Sequence, residues 1–169
     1  MIDSITLKDC IEFAVKTEEL GARFYSRMSN KFSNEKEVAE IFGRLSKDEK
    51  THQQQFSALL NNLPEEKGIT DAPEKHEYVR AMSISEFFSH NRGPFKNVDE
   101  IKDRDDALEK ALNFEKATLG FYQAVQDLMV ESNALKAIME AEKEHIAVLM
   151  KVLMTGAKFR SLQDKWYAT

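Results

Sequence analysis

Apolar residues recur along this chain at alternating spacings of three and four, the period of a helix face buried in a bundle. The first run is Leu7, Ile11, Ala14, Gly21, Tyr25, Met28 and Phe32, and the second is Val38, Phe42, Leu45, Phe56, Leu59 and Leu63. The third is Leu108, Ala111, Tyr122, Val125 and Met129, and the fourth is Leu135, Ile138, Leu149 and Val152. The pattern predicts four long helices over about 6–32, 35–63, 103–130 and 134–154. Their ends are marked by Ser33-Asn34, by Pro64, by Ser132-Asn133 as a cap, and by Gly156. Short links after the first and third helices imply two antiparallel hairpins. The connector over 65–102 carries Pro73, Gly93 and Pro94 and one apolar patch, Ile84, Phe87 and Phe88, read as a short helix. Its length lets the second hairpin start at the opposite end of the bundle, as in one-crossover bundles. The tail over 157–169 places Phe159, Leu162 and Trp166 at i, i+3, i+7, a short amphipathic helix for docking on the bundle or a partner. The expected architecture is an all-α four-helix bundle plus a short C-terminal helix, one domain over 1–169.

Each apolar seam is interrupted near its middle, and each interruption holds a glutamate on the same face: Glu18, Glu49, Glu115 and Glu142. The second and fourth seams add a histidine three residues on, His52 and His145, on the same side of the helix. The hairpins also repeat one another. Glu18 precedes Phe24-Tyr25 as Glu115 precedes Phe121-Tyr122, and Asp48-Glu49-Lys50-Thr51-His52 matches Ala141-Glu142-Lys143-Glu144-His145. Two half-sites should therefore face each other across a pseudo-dyad. Glu18 and the Glu49–His52 stretch lie nearly equidistant from Asn34, which puts them at one level of the first hairpin. The midpoint of Glu115 and Glu142–His145 falls near Met129, within about a turn of the expected link.

Packing the two hairpins together brings four carboxylates and two imidazoles into one core layer. Burying even one unpaired ion costs several kcal/mol, and no lysine or arginine occupies these seams. Two divalent cations balance four carboxylates and leave the histidines neutral, as ligation requires. An isolated Glu-x-x-His recurs by chance. Here two of the four histidines in the chain fall in this motif, on matching repeat halves, each beside a seam glutamate from the preceding helix. One Glu from each of two helices and Glu-x-x-His from the other two is the ligand pattern of di-metal carboxylate bundles.

Composition narrows the classes further. A chain of 169 residues fits a single core, and 42% hydrophobic with 31% charged residues exclude a disordered or membrane-embedded chain. The 6 Gly and 3 Pro favour long helices over a turn-rich fold. A net charge of −5 argues against a nucleic-acid partner. The lone Cys10 leaves no disulfide framework, no thiolate zinc site and no rubredoxin-type iron centre. Neither an export signal nor a transmembrane stretch is visible, so no membrane association and a cytoplasmic location are expected.

With these residues in place, the chain resembles the ferritin-like superfamily, and within it the rubrerythrin-type di-iron domains that lack a rubredoxin module. The resemblance covers the four helices. It implies two iron ions, because carboxylate and imidazole ligation with open positions suits redox chemistry on oxygen or peroxide; manganese or zinc fits the same ligands. It implies terminal or chelating roles for Glu18 and Glu115, bridging roles for Glu49 and Glu142, and one metal capped by each of His52 and His145. The implied activity is that of a di-iron oxidoreductase, ferroxidase-like or weakly peroxidatic, connected to oxidative stress. The alternative is a non-catalytic metal-binding, iron-storage or structural bundle. Rubrerythrins that reduce peroxide are similar but carry a further glutamate three residues after the third-helix ligand, where this chain has Thr118. The rubredoxin cysteines are absent as well, so a peroxidase would need a separate electron donor. A homodimer is expected, because members of the family commonly pair.

Other residues carry two readings each. Tyr25 and Tyr122 follow the seam glutamates by two turns; they serve either as hydrogen-bond donors to a ligand carboxylate and carriers of one-electron chemistry, or as ordinary core. Asp48 is placed either to orient the histidine of the opposite half or to solvate the surface; its counterpart is Ala141. His76 and His90 fall in the connector and are expected to be exposed, without metal roles. Cys10 is expected in the core, and the acidic run over 99–106 at the start of the third helix, favouring its dipole.

Overall fold

The computed structural model describes residues 6–63, 77–78, 98–129 and 132–156. The short helix expected around Ile84–Phe88, the tail helix, His76 and His90 lie outside the described residues. Four long helices carry the fold: α1 (Leu7–Lys31), α2 (Lys36–Asn61), α3 (Arg104–Gln126) and α4 (Asn133–Thr155). A single 3-10 turn over Val98–Glu100 precedes α3.

Local chemistry sets the helix starts. Thr6 caps α1 through a reciprocal box: its hydroxyl accepts from the Asp9 amide at 3.1 Å, and the Asp9 carboxylate accepts from the Thr6 amide at 2.8 Å. Asp103 caps α3 by accepting from the Asp106 amide at 2.9 Å, and Ser132 caps α4 by accepting from the Leu135 amide at 3.2 Å. The third helix ends at Gln126 and not near Val130, because the chain already turns at Asp127 and Leu128. Leu128 is nonetheless fully buried, so the apolar period outlasts the helix.

The apolar core is split in two. One cluster gathers the C-terminal half of α1, the N-terminal half of α2, the start of α3 and the end of α4, with Tyr25, Phe42, Leu108, Phe114 and Leu149 at its centre. The other gathers the opposite ends, with Ile11, Phe56, Phe121, Leu128 and Ile138. Thus α1 runs antiparallel to α2 and to α3, and α2 ends at one end of the bundle while α3 begins at the other. That placement of the helix ends is the one-crossover topology of a ferritin-like bundle. The approach to α3 is pinned at Ile101, which is buried in the first cluster and whose carbonyl accepts from Lys31 Nζ at 2.6 Å. Burying each large apolar side chain contributes about 1.5–3 kcal/mol, so the two clusters supply the stability against which a polar layer can be held between them.

Close approach at that layer depends on one glycine. A Cβ on Gly21 would stand 2.8 Å from Phe114 Cε1 and 3.4 Å from Glu49 Cγ. Phe114 is fully buried, with Tyr25 packed edge-on at a centroid distance of 6.2 Å, so its ring would have to yield within a packed core. Alanine would gain about 1 kcal/mol of helix propensity, but overpacking a tight core costs about 1–3 kcal/mol. The steric term wins: Gly21→Ala is expected to lower the melting temperature of metal-free protein by a few degrees, read by thermal circular dichroism. An unchanged or raised melting temperature would show that α1 and α3 have room to part.

Candidate metal centre

Between the two apolar clusters lies one polar layer. Glu18 comes from α1, Glu49 and His52 from α2, Glu115 from α3, and Glu142 and His145 from α4; all six are buried. The four glutamates have no exposed surface, while His52 and His145 retain 5% and 4%. The imidazoles therefore form the edge of the layer nearest solvent. Their rings lie 5.5 Å apart and 28° from parallel.

The oxygens are divided between the two imidazoles in a regular way. His52 Nδ1 stands 2.9 Å from Glu142 Oε1, 3.6 Å from Glu18 Oε2 and 3.8 Å from Glu49 Oε2. His145 Nδ1 stands 3.2 Å from Glu49 Oε1, 3.4 Å from Glu115 Oε2 and 3.5 Å from Glu142 Oε2. Glu49 and Glu142 thus give one oxygen to each side, whereas Glu18 and Glu115 each serve one. Two four-residue groups result: Glu18, Glu49, His52 and Glu142, and Glu49, Glu115, Glu142 and His145, each with donor atoms within 4.8 Å of one another. The six residues singled out from the sequence all meet here.

The remaining oxygens of the terminal carboxylates go to tyrosines. Tyr25 donates its hydroxyl to Glu115 Oε1, and Tyr122 donates to Glu18 Oε1, each across to the other hairpin. Each tyrosine thus holds the glutamate of the other hairpin and not the one on its own helix. Helical side chains lean toward the N-terminus of their helix, so antiparallel α1 and α3 aim Tyr25 and Tyr122 back at the layer from opposite ends. Burial first and the neighbouring glutamates second push both phenols well above their ordinary range, so they remain protonated donors. Thr118 is also buried, its hydroxyl donating to the Phe114 carbonyl at 2.8 Å, which leaves it no hydrogen to offer the layer. Asp48, half-buried on α2, lies 3.5 Å from His145 Nε2. Cys10 is buried in the far cluster, away from the layer, and burial pushes its thiol up to about 12.

The electrostatics are those of charge gathered without a countercharge. Among the described residues no lysine or arginine pairs with any of the four glutamates. Burial, then the charges of Glu18, Glu142 and Glu115, push the Glu49 carboxyl well above its usual range. Glu115 rises through burial and then through Glu142. Glu142 goes the other way: burial opposes its ionisation, but contacts with Glu115, His145 and His52 outweigh that and hold it low. Burial would likewise lower the imidazoles, yet Glu142, Glu18 and Glu49 lift His52 to about 12, and Glu115, Glu142 and Glu49 lift His145 strongly. Protons hold the metal-free layer together in the place that cations would take.

That substitution is incomplete. Among the described residues, every buried side-chain polar atom without a hydrogen-bond partner belongs to these six: Glu18 Oε2, both oxygens of Glu49, His52 Nδ1, Glu115 Oε2, both oxygens of Glu142 and His145 Nδ1. Buried polar atoms ordinarily find partners, and these all point into one shared space. Carboxylate oxygens and imidazole nitrogens in two overlapping sets are a donor set that fits two divalent ions of the iron, manganese or zinc kind.

The comparison with known sequences bears on the whole bundle. The sequence model of the rubrerythrin family matches residues 9–153, while no curated protein and no solved structure matched the chain. The matched span takes in nearly all of the four helices and each of the six residues of the buried layer, and it covers most of the sequence. The chain belongs to the rubrerythrin family.

Proposed function

We propose that this chain is a di-iron redox protein whose metals are held by Glu18, Glu49, His52, Glu115, Glu142 and His145. The observation that carries the proposal is the set of unpartnered buried oxygens and nitrogens, which has no structural purpose in a metal-free core. Two iron ions held there supply one-electron chemistry on dioxygen or hydrogen peroxide. Glu49 and Glu142, which reach both sides, would hold both ions, Glu18 and Glu115 would each hold one, and His52 and His145 would each complete one position. Tyr25 and Tyr122 fix the terminal carboxylates by holding their second oxygens, and the apolar clusters above and below exclude water. Manganese or zinc would occupy the same ligands. If the centre turns over peroxide, a separate electron donor would supply the reducing electrons. A storage or purely structural use of the same centre is the competing reading, supported by Thr118, which supplies neither charge nor donor where peroxide-reducing relatives carry a glutamate.

Metal content and single-turnover kinetics separate these readings. After anaerobic loading, about two irons per chain are expected, with an absorption band in the visible on exposure to oxygen. Turnover of peroxide with a reductant is expected to be slow, and Thr118→Glu is expected to raise it by about tenfold or more, the scale on which residues around a metal change activity. Native zinc with no reaction toward either oxidant would sink the redox reading and favour the structural one. Peroxide turnover that is already fast and indifferent to Thr118→Glu would sink the role given to Thr118 alone.

A further inference from the structure

The pseudo-dyad of the buried layer is broken at Asp48, just outside the six residues. His145 presents Nδ1 to the carboxylates, while its other nitrogen, Nε2, lies 3.5 Å from Asp48 Oδ2 on the facing helix. His52 presents Nδ1 in the same way, but the repeat puts Ala141 where an equivalent carboxylate would stand. Among the described residues the acidic partners of His52 are Glu18, Glu49 and Glu142, each met through Nδ1.

A neutral imidazole has one N–H, and the nitrogen without it is the one that ligates. A carboxylate beside Nε2 favours the tautomer with the proton there, leaves the Nδ1 lone pair facing inward, and raises its basicity. We infer that Asp48 is a positioning residue that makes the two halves of the centre unequal, so that the position capped by His145 binds metal more tightly than the one capped by His52. The inference rests on the metal-binding reading above. Losing such an outer partner costs about 10- to 100-fold in metal affinity. Asp48 is one-third exposed and shares its Oδ2 with Arg44 Nε at 3.5 Å. Solvent and that cation weaken its hold, which puts the expected difference near the lower end, about tenfold.

The test uses the full chain, labelled with 15N at histidine and titrated with zinc alone. His52 and His145 ring signals, identified from the His52→Ala and His145→Ala variants, report the two positions separately. The His145 signals should move with the first equivalent and the His52 signals with the second. Asp48→Ala should weaken the His145 position about tenfold and leave the His52 position unchanged. Asp48→Asn, which keeps shape and an acceptor, should fall between. Adding Ala141→Asp to Asp48→Ala should reverse the order of filling. Loss that is equal at both positions in Asp48→Ala would mean a merely structural role and overturn the inference, as would simultaneous filling in the unmodified protein. Two zinc ions bound with an order indifferent to Asp48 and position 141 would refute this inference while sparing the metal-binding reading; no bound zinc would refute both.

Discussion

Stripped of metal by a chelator, the protein is expected to lose stability as the pH rises from about 5 to about 9, the reverse of its metal-loaded form. The sign follows from which state holds protons more tightly. His52 is raised in the fold from 6.5 to about 12, so its contribution is complete below pH 6.5 and is lost as the pH climbs toward 12. His145 shifts in the same direction. Glu49 and Glu115 are raised above their ordinary 4.5, so they too favour the fold when protonated and oppose it as the pH rises. Glu142 is lowered and acts oppositely, but only below about 4.5, outside this window. Each group that keeps its proton in the fold and loses it on unfolding contributes a slope of about 1.4 kcal/mol per pH unit. Metal inverts this, because ligands must shed their protons to bind: higher pH tightens binding, and tighter binding stabilises the fold. Urea midpoints across this pH range, with and without metal, and proton release on loading would read both slopes. A chelated protein whose stability is flat or rises with pH would mean the six groups do not share one buried layer.

The helices and the six candidate ligands were legible because both depend on period. Core positions repeat every three or four residues, and Glu18, Glu49, Glu115 and Glu142 interrupt that repeat at matching heights, so a polar layer at mid-bundle follows from spacing and an antiparallel turn. Glu-x-x-His adds His52 and His145 to the same face by helix geometry alone. Four things were not legible. The end of α3 at Gln126 depends on a turn whose residues keep the apolar period, as buried Leu128 shows. The pairing of Tyr25 with Glu115 and of Tyr122 with Glu18 depends on how α1 and α3 face one another, which a repeat within each hairpin does not encode. The asymmetry at Asp48 was visible as a mismatch with Ala141, but its meaning rests on which imidazole nitrogen turns outward. Gly21 reads in sequence as a weak core position; only the 2.8 Å approach to Phe114 shows that it sets the separation of α1 and α3.

Replacing Glu49 should empty both metal positions and yet firm up the metal-free fold. Its two oxygens are divided between the two imidazoles, Oε2 toward His52 and Oε1 toward His145, so removing it withdraws a donor from both groups of ligands at once. Removing His52 withdraws a donor from only one. Metal analysis after dialysis should therefore find both sites depleted in Glu49→Ala and in Glu142→Ala, but about one metal retained in His52→Ala. Stability moves the other way. Without metal Glu49 is a buried group whose two oxygens lack partners, and an apolar side chain of similar volume removes that cost while filling the space. Exchanging buried ionic groups for apolar ones is often neutral or stabilising by about 1–4 kcal/mol, so metal-free Glu49→Leu should equal or exceed the original protein, most clearly at high pH where the layer is most strained by charge. A residue kept for packing would show the opposite pair of results: loss of stability on replacement, and metal content unchanged. Full dinuclear occupancy in Glu49→Ala would end its assignment as a bridge, and a large drop in the stability of metal-free Glu49→Leu would show that the carboxylate serves the fold and not the metals.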